Sequence, residues 1–216
     1  MINTRHGFLK ELHSIIDPKT YLEIGVQHGT SLELCGPRTL GIGIDPNPLY
    51  TPGSSNKFLV KATSDKYFKS INNGRAKIAP IDLAFIDGMH QYEYALRDFL
   101  NVKNYITKNG IIVFDDVLPR NQEEASRTQC PGDWTGDVWK VYTDLINRSS
   151  EITTILVDVK PTGLLVIING HKVTDSVQDL AYIMPTEEVP VPESIITRSG
   201  AYEPDIALDM IKLWSK

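Results

Sequence analysis

The chain predicts an α/β fold: a doubly wound, mostly parallel sheet that closes on an antiparallel hairpin strand. Three features predict it. Short apolar runs alternate with longer segments through the first two thirds of the chain, and one of those segments, Tyr92 to Ile106, repeats Leu96, Phe99, Leu100 and Val102 at helical spacing. The run Ile111-Ile112-Val113-Phe114 is apolar on both faces, as a central parallel strand requires. Near the end of that region, Ile152 to Val159 and Leu164 to Ile168 are separated by Pro161-Thr162-Gly163, the pattern of two strands joined by a short turn.

The elements follow in order. Thr4 to Ile16 carries Phe8, Leu9, Leu12, Ile15 and Ile16 on one amphipathic face, and Asp17-Pro18 ends it, because the residue before proline is pushed out of the helical region. Tyr21 to Ile24 is the first strand, and Thr30 to Cys35 is expected to start the next helix. Leu40 to Ile44, Lys57 to Lys61 and Ile81 to Ile86 are the second, third and fourth strands. The helix from Tyr92 is expected to reach Ile106 and to end on Asn109-Gly110 as a left-handed cap. Asp137 to Ile146 is a further helix with Asp137 as its candidate amino-terminal cap. From His171 the character changes: Pro185, Pro190, Pro192 and Pro204 interrupt it, and only Asp205 to Trp214 has a helical pattern. The expected division is an α/β domain over residues 1–170 and an extension over 171–216. That tail is left open as a lid, a dimer arm (making the protein a homo-oligomer) or a loosely packed extension.

A length of 216 residues suits one domain with a full core, and a 41% apolar, 23% charged composition is ordinary for a soluble protein. The net charge of −5 gives no reason to expect a nucleic acid or an anionic membrane surface as partner. Cys35 and Cys130 have no metal-ligand spacing and are expected as free thiols. Met1 to His13 has no signal-peptide core, and no apolar run approaches the ~20 residues of a membrane span, so the expected location is cytoplasmic.

The most informative stretch is Tyr21-Leu22-Glu23-Ile24-Gly25-Val26-Gln27-His28-Gly29-Thr30-Ser31, followed by Gly43-Ile44-Asp45. A strand feeds a tight glycine turn over which a ligand can lie, and a carboxylate ends the next strand where it can accept a pair of ribose hydroxyls. A nicotinamide-binding turn wants three glycines, so that a pyrophosphate can sit on a helix amino terminus. Here the spacing is Glu23-x-Gly25-x-x-x-Gly29, and Gly41-x-Gly43 is followed by Pro46 where a third glycine would stand. An acidic residue just before the turn suits a ligand with a cationic centre and no pyrophosphate.

These residues resemble the first motif of class I S-adenosylmethionine-dependent methyltransferases, and the resemblance runs through most of residues 20 to 170. It implies a Rossmann-like fold, with Glu23, Gly25 and Gly29 against the cofactor and Asp45 on its ribose. Ser31 is similar to the hydroxyl that holds the cofactor carboxylate, and Thr63 and Ser64, in Lys61-Ala62-Thr63-Ser64-Asp65, look like the border of the adenine. Two further stretches, Leu83-Ala84-Phe85-Ile86-Asp87-Gly88-Met89-His90-Gln91-Tyr92 and Ile111-Ile112-Val113-Phe114-Asp115-Asp116, resemble the divalent-metal-dependent O-methyltransferases of the catechol and macrocin types. The catechol type has an amide where Asp116 stands, so the paired aspartates lean toward the macrocin-like group.

The residues themselves support a metal. The fourth and fifth strands are expected as neighbours about 4.8 Å apart, which brings Asp87 beside Asp115 and Asp116. Three carboxylates that close repel one another unless a cation sits among them. Oxygen ligands favour Mg²⁺, with Mn²⁺ or Ca²⁺ as substitutes. Adjacent strand residues face opposite ways, so Asp115 and Asp116 can both bind only if the chain turns there; the alternative is that one of them caps the next helix or accepts backbone N–H groups. His90, three residues beyond Asp87, lies where the catechol enzymes carry a lysine base; with Asp87 it is the expected catalytic residue, and its other readings are a fourth metal ligand or a side chain bonded to a backbone carbonyl. The long connection Pro119 to Gly136 is either a substrate lid walled by Trp134 or a loop that Trp134 and Trp139 pack onto the sheet. Tyr92 is expected at the pocket and Tyr94 in the core.

The function expected is therefore an S-adenosylmethionine-dependent, Mg²⁺-dependent O-methyltransferase acting on a hydroxylated small molecule, a sugar or a natural-product scaffold. The alternatives are a metal-independent N- or O-methyltransferase and a non-catalytic module that binds the same nucleoside.

Overall fold

The computed structural model describes residues 2–148, 150–173 and 189–215. Seven strands form one sheet: β1 (Thr20–Ile24), β2 (Leu40–Ile44), β3 (Lys57–Val60), β4 (Ile81–Ile86), β5 (Ile106–Asp115), β6 (Thr153–Val157) and β7 (Leu164–Ile168). Their spatial order is β3-β2-β1-β4-β5-β7-β6. The first five run parallel, and β7 is antiparallel to both β5 and β6, as the sequence predicts. Strand order reverses between β1 and β4, so their carboxyl ends, Ile24 paired with Ile86, lie side by side at the crevice where such sheets take their ligands.

Alternation of side chains across the sheet explains the doubly apolar strands. Ile112 and Phe114 pack with Leu22, Ile24, Leu96 and Phe99 in one layer, under α2 (Ser64–Asn72), α3 (Tyr92–Val102) and α4 (Trp139–Arg148). Ile111 and Val113 pack with Tyr21, Leu83, Phe85, Phe8 and Leu208 in the other, under α1 (Arg5–Ile16) and α6 (Pro204–Trp214). Helix α1 starts on Thr4, whose hydroxyl accepts from Gly7 N at 3.2 Å, and ends on Asp17 in the left-handed region, just before Pro18. Of the tail, residues 174–188, which include Pro185, lie outside the described residues. Val191, the short α5 (Glu193–Ile196) through Ile195, and α6 through Ala207, Leu208 and Ile211 are buried against the sheet layers. No described helix is long and apolar enough to cross a membrane.

Four elements differ from expectation. The helix predicted at Thr30–Cys35 is a single 3-10 turn, Leu32–Leu34, because left-handed residues at Gly25, Gln27 and Gly29 occupy the lead-in and Gly36-Pro37 closes the segment. Helix α2, not assigned from sequence, begins on Thr63, whose hydroxyl accepts from Lys66 N at 3.3 Å. Helix α3 stops at Val102, and Asn109-Gly110 lies inside β5. Ile81 pairs with Ile106 but Leu83 with Ile111, so extra residues bulge out of that strand before the apolar run. Asp137 caps the wrong helix: its Oδ1 accepts from Tyr92 N at 2.7 Å, at the start of α3, whose own cap residue Gln91 supplies no side-chain bond.

Candidate active site

The carboxyl ends of β1, β2 and β4, with the start of α2, open into a cleft of about 700 Å³ lined by Glu23 to His28, Thr30, Ser31, Asp45, Thr63 to Asp65, and Asp87 to His90, but not by Gly29. Gly25 makes this turn sterically. Its φ is +87°, and a Cβ there would lie 1.8 Å from the carbonyl oxygen of Asp87, so only glycine lets the β1 and β4 turns meet. Asp45 ties the β1 turn to the end of β2: Oδ2 accepts from Val26 N and Gln27 N at 2.9 Å each, and Oδ1 from Asn47 N at 2.7 Å. Glu23 is buried, and burial pushes its carboxyl up to about 8 although the Tyr21 hydroxyl donates to it at 2.7 Å. A buried acid of that kind is ready to ionise against a cationic ligand. The Ser31 and Thr30 positions line the same wall, and Gly29 holds the turn at φ +74°.

Asp87 and His90, which line this cleft, stand with Asp116. One donor atom of each lies within 4.8 Å of the others, the one such grouping of three among the described residues. His90 Nε2 is 3.4 Å from Asp87 Oδ1 and 3.1 Å from Asp116 Oδ2. His90 Nδ1 is 2.9 Å from the carbonyl oxygen of Trp134, and the indole stacks on the imidazole with centroids 5.1 Å apart. Asp116 has φ +60°, so the chain does turn at the end of β5, and Thr162 donates its hydroxyl to Asp116 Oδ1 at 2.6 Å.

The turn separates the paired aspartates. Asp115 is taken by Arg5 of α1, which bonds its Oδ2 and stands 3.7 Å from Asp87 Oδ2. The three carboxylates grouped from sequence are thus regrouped: His90 stands with Asp87 and Asp116, and Asp115 faces an internal cation. Burial and the Asp116 charge push Asp115 up to about 7 against the pull of Arg5. Burial pushes Asp116 up to about 6 against the attraction of His90. Burial of the imidazole disfavours its charge, but the bond to Asp87 and the charges of Asp116 and Asp87 outweigh this and push His90 up to about 9.

This group fits a divalent ion on its own chemistry. Two carboxylates and an imidazole converge, the imidazole's second nitrogen is bonded to a backbone carbonyl and Asp116 is oriented by a hydroxyl, the outer bonds that ligating residues carry. The imidazole changes the preference read from sequence, since a nitrogen ligand moves the set away from Mg²⁺ and Ca²⁺ and toward first-row transition ions.

The two tryptophans at this connection part company. Trp139 is buried in the core, whereas Trp134 covers His90 and donates Nε1–H to Ser126 O at 2.6 Å. Gly136, at φ +57°, brings the loop against the carbonyl oxygen of His90, which a Cβ would meet at 1.6 Å. The two tyrosines exchange places: Tyr92 is buried and bonds Asp144, while Tyr94 is 38% exposed and lines the cleft, because α3 begins at Tyr92 and turns the next tyrosine outward. Arg5, His6, Met89 and Asp98 also line the cleft and were not singled out in the sequence. Only Asp98 left a signal there, as an acid inside the apolar repeat of α3.

Residues 22–117 match the family model of a methyltransferase domain. The uncharacterized protein R132 of Acanthamoeba polyphaga mimivirus is 36% identical over 119 residues, 46% of this chain, so the chain matches about half (52%) of the length of that relative. Among solved structures, the O-methyltransferase of Bacillus cereus in complex with S-adenosylhomocysteine superposes with a TM-score of 0.54 at 16% identity, over 76% of this chain and 80% of that one. The S-adenosylhomocysteine-bound methyltransferase PaMTH1 of Podospora anserina gives 0.54 at 17% identity, over 76% and 77%. TomG of Streptomyces achromogenes, an O-methyltransferase in complex with S-adenosylmethionine, gives 0.54 at 17%, over 76% and 79%. Residues 22–117 thus match a methyltransferase domain, and the sheet order β3-β2-β1-β4-β5-β7-β6 gives the chain the fold of these methyltransferase structures.

Proposed function

We propose that this protein transfers a methyl group from S-adenosylmethionine to a hydroxyl of a small molecule, with a divalent ion held by Asp87, His90 and Asp116. The observation that carries the reading is continuity: one cleft joins the Glu23, Gly25 and Asp45 turns to the Asp87–His90 segment. Cofactor and acceptor would therefore meet where the three ligating side chains converge. S-adenosylmethionine supplies a sulfonium-activated methyl group, and the ion supplies Lewis acidity to an acceptor hydroxyl. Glu23 would face the cationic end of the cofactor, Asp45 its ribose, Ser31 its carboxylate, and Thr63 and Ser64 its base. Trp134 and the loop behind it shield the acceptor end from water, which strengthens every charge interaction there. His90 serves as a ligand through Nε2 in this reading, replacing the base role expected from sequence.

A second reading keeps the cofactor and drops the ion. Arg5 and a protonated His90 already oppose the charges of Asp87, Asp115 and Asp116, so the cluster is nearly balanced by the chain's own cations. His90 is then the base only after it has lost its proton, which the two carboxylates delay until about pH 9. Calorimetric titration with S-adenosylhomocysteine and with Mn²⁺, before and after chelation, tests the first reading and separates the two. The leading reading expects saturable binding of both, with Mn²⁺ binding abolished by Asp116→Asn and retained by Asp115→Asn. Absence of S-adenosylhomocysteine binding would remove both readings; its presence with no Mn²⁺ binding would leave the second.

A further inference from the structure

Asp98 is a buried carboxylate that the proposed chemistry does not use. It sits on α3 and is only 3% exposed, yet it lines the cleft. Its one described hydrogen-bond partner is the Ser64 side chain at the start of α2, which also lines the cleft. On the other side the backbone of Gly88 runs close, where a Cβ would come within 3.4 Å of Asp98 Oδ2. Asp65 next to Ser64 pairs with Arg97, whose guanidinium lies 4.4 Å over the Tyr94 ring, so the start of α2 and α3 are clasped together outside this point. A carboxylate in such a place is costly unless a hydrogen-bond donor meets it, and one hydroxyl leaves most of its accepting capacity unused.

In the proposed reading a ribose held at Asp45 has its base by Thr63 and Ser64, and Gly88, Met89 and Asp98 line that same cleft. We infer that Asp98 reads the identity of the base, its carboxylate accepting a hydrogen bond from the exocyclic amine of adenine and refusing a base that presents a carbonyl there. The inference rests on the S-adenosylmethionine reading above and adds to it a residue that sets base specificity. Burial raises the Asp98 carboxyl to about 7 in the free protein, against the bond from Ser64, and an amine donor on the open side would favour its ionised form.

The test compares S-adenosylhomocysteine with its deaminated analogue, S-inosylhomocysteine, by calorimetry on the full chain and on Asp98→Asn and Asp98→Ala. The wild-type protein should prefer the adenosyl ligand by about tenfold or more, the worth of one hydrogen bond to a charged group. Asp98→Asn, which can donate to a carbonyl, should erase or invert that preference, and Asp98→Ala should lower it while both variants keep the wild-type far-ultraviolet circular dichroism. An unchanged ratio in a folded variant overturns the assignment and makes Asp98 a purely structural clasp. Failure of the wild-type protein to bind either ligand overturns the cofactor reading itself, so the two failures are distinguishable.

Discussion

His13 gives a prediction that is independent of any ligand. The imidazole is buried on α1, edge-on to Tyr21 at 4.7 Å between centroids, and neither ring nitrogen has a hydrogen-bond partner among the described residues. Burial lowers its pKa from 6.5 to about 4. The unfolded chain therefore takes up a proton as pH falls through 6.5 while the folded chain resists until about 4, and stability drains away across that window. A difference of about 2.5 pKa units corresponds to about 3 kcal/mol in all, of which about 2 kcal/mol is lost between pH 7 and pH 5. Glu23 and Asp98, raised to about 8 and about 7, act oppositely: they bind protons more readily when folded, and their contribution weakens as pH rises. The comparison of wild type with His13→Leu cancels them. Urea unfolding of both proteins at intervals from pH 7.5 to pH 5 should show the leucine variant gaining about 2 kcal/mol on the wild type over that range. Parallel curves would refute the reasoning, because they would mean that the ring is as easily protonated in the folded protein as in the unfolded one.

Gly25→Ala should abolish binding of S-adenosylhomocysteine and lower the melting temperature, since a methyl group 1.8 Å from the Asp87 carbonyl oxygen forces the β1 and β4 turns apart. Asp137→Ala should destabilise by about 3–5 kcal/mol in chemical denaturation, because it leaves the Arg127 guanidinium, bonded at 2.7 Å, and the Lys140 ammonium, bonded at 2.9 Å, without that carboxylate, and uncaps α3. Asp45→Ala should weaken S-adenosylhomocysteine binding by about tenfold or more in calorimetry while leaving Mn²⁺ binding in place, since three backbone N–H groups and the proposed ribose contact share that one carboxylate.

Much of the fold was legible because it rests on short-range chemistry. Each of the seven strands contains an apolar run that the sequence marks, and periodicity alone is enough to find such runs. The hairpin was legible from Pro161-Thr162-Gly163, and the first helix from its apolar stripe and the Asp17-Pro18 stop. Illegible from sequence was where a turn signal applies. Asn109-Gly110 has the composition of a helix cap and lies in a bulged strand, because pairing of Ile111 with Leu83 fixes the register and expels the residues before it. Asp137 has the composition of a cap and serves α3 instead of its own helix, because the loop from Pro119 delivers it there.

Sequence by itself determined that a glycine turn and four acidic strand ends lie along one edge of a parallel sheet, since strand direction and side-chain alternation follow from the residue pattern. Tertiary structure alone decided which carboxylates share a neighbourhood. Arg5 arrives from a helix 110 positions before Asp115 and takes that aspartate away, while the turn at Asp116 and the Trp134 carbonyl bring His90 in to complete the trio. The physical reason is range: backbone preferences act over a few residues, whereas a buried charge is satisfied by whatever the folded chain places within hydrogen-bond reach, and no pattern along the sequence encodes that distance.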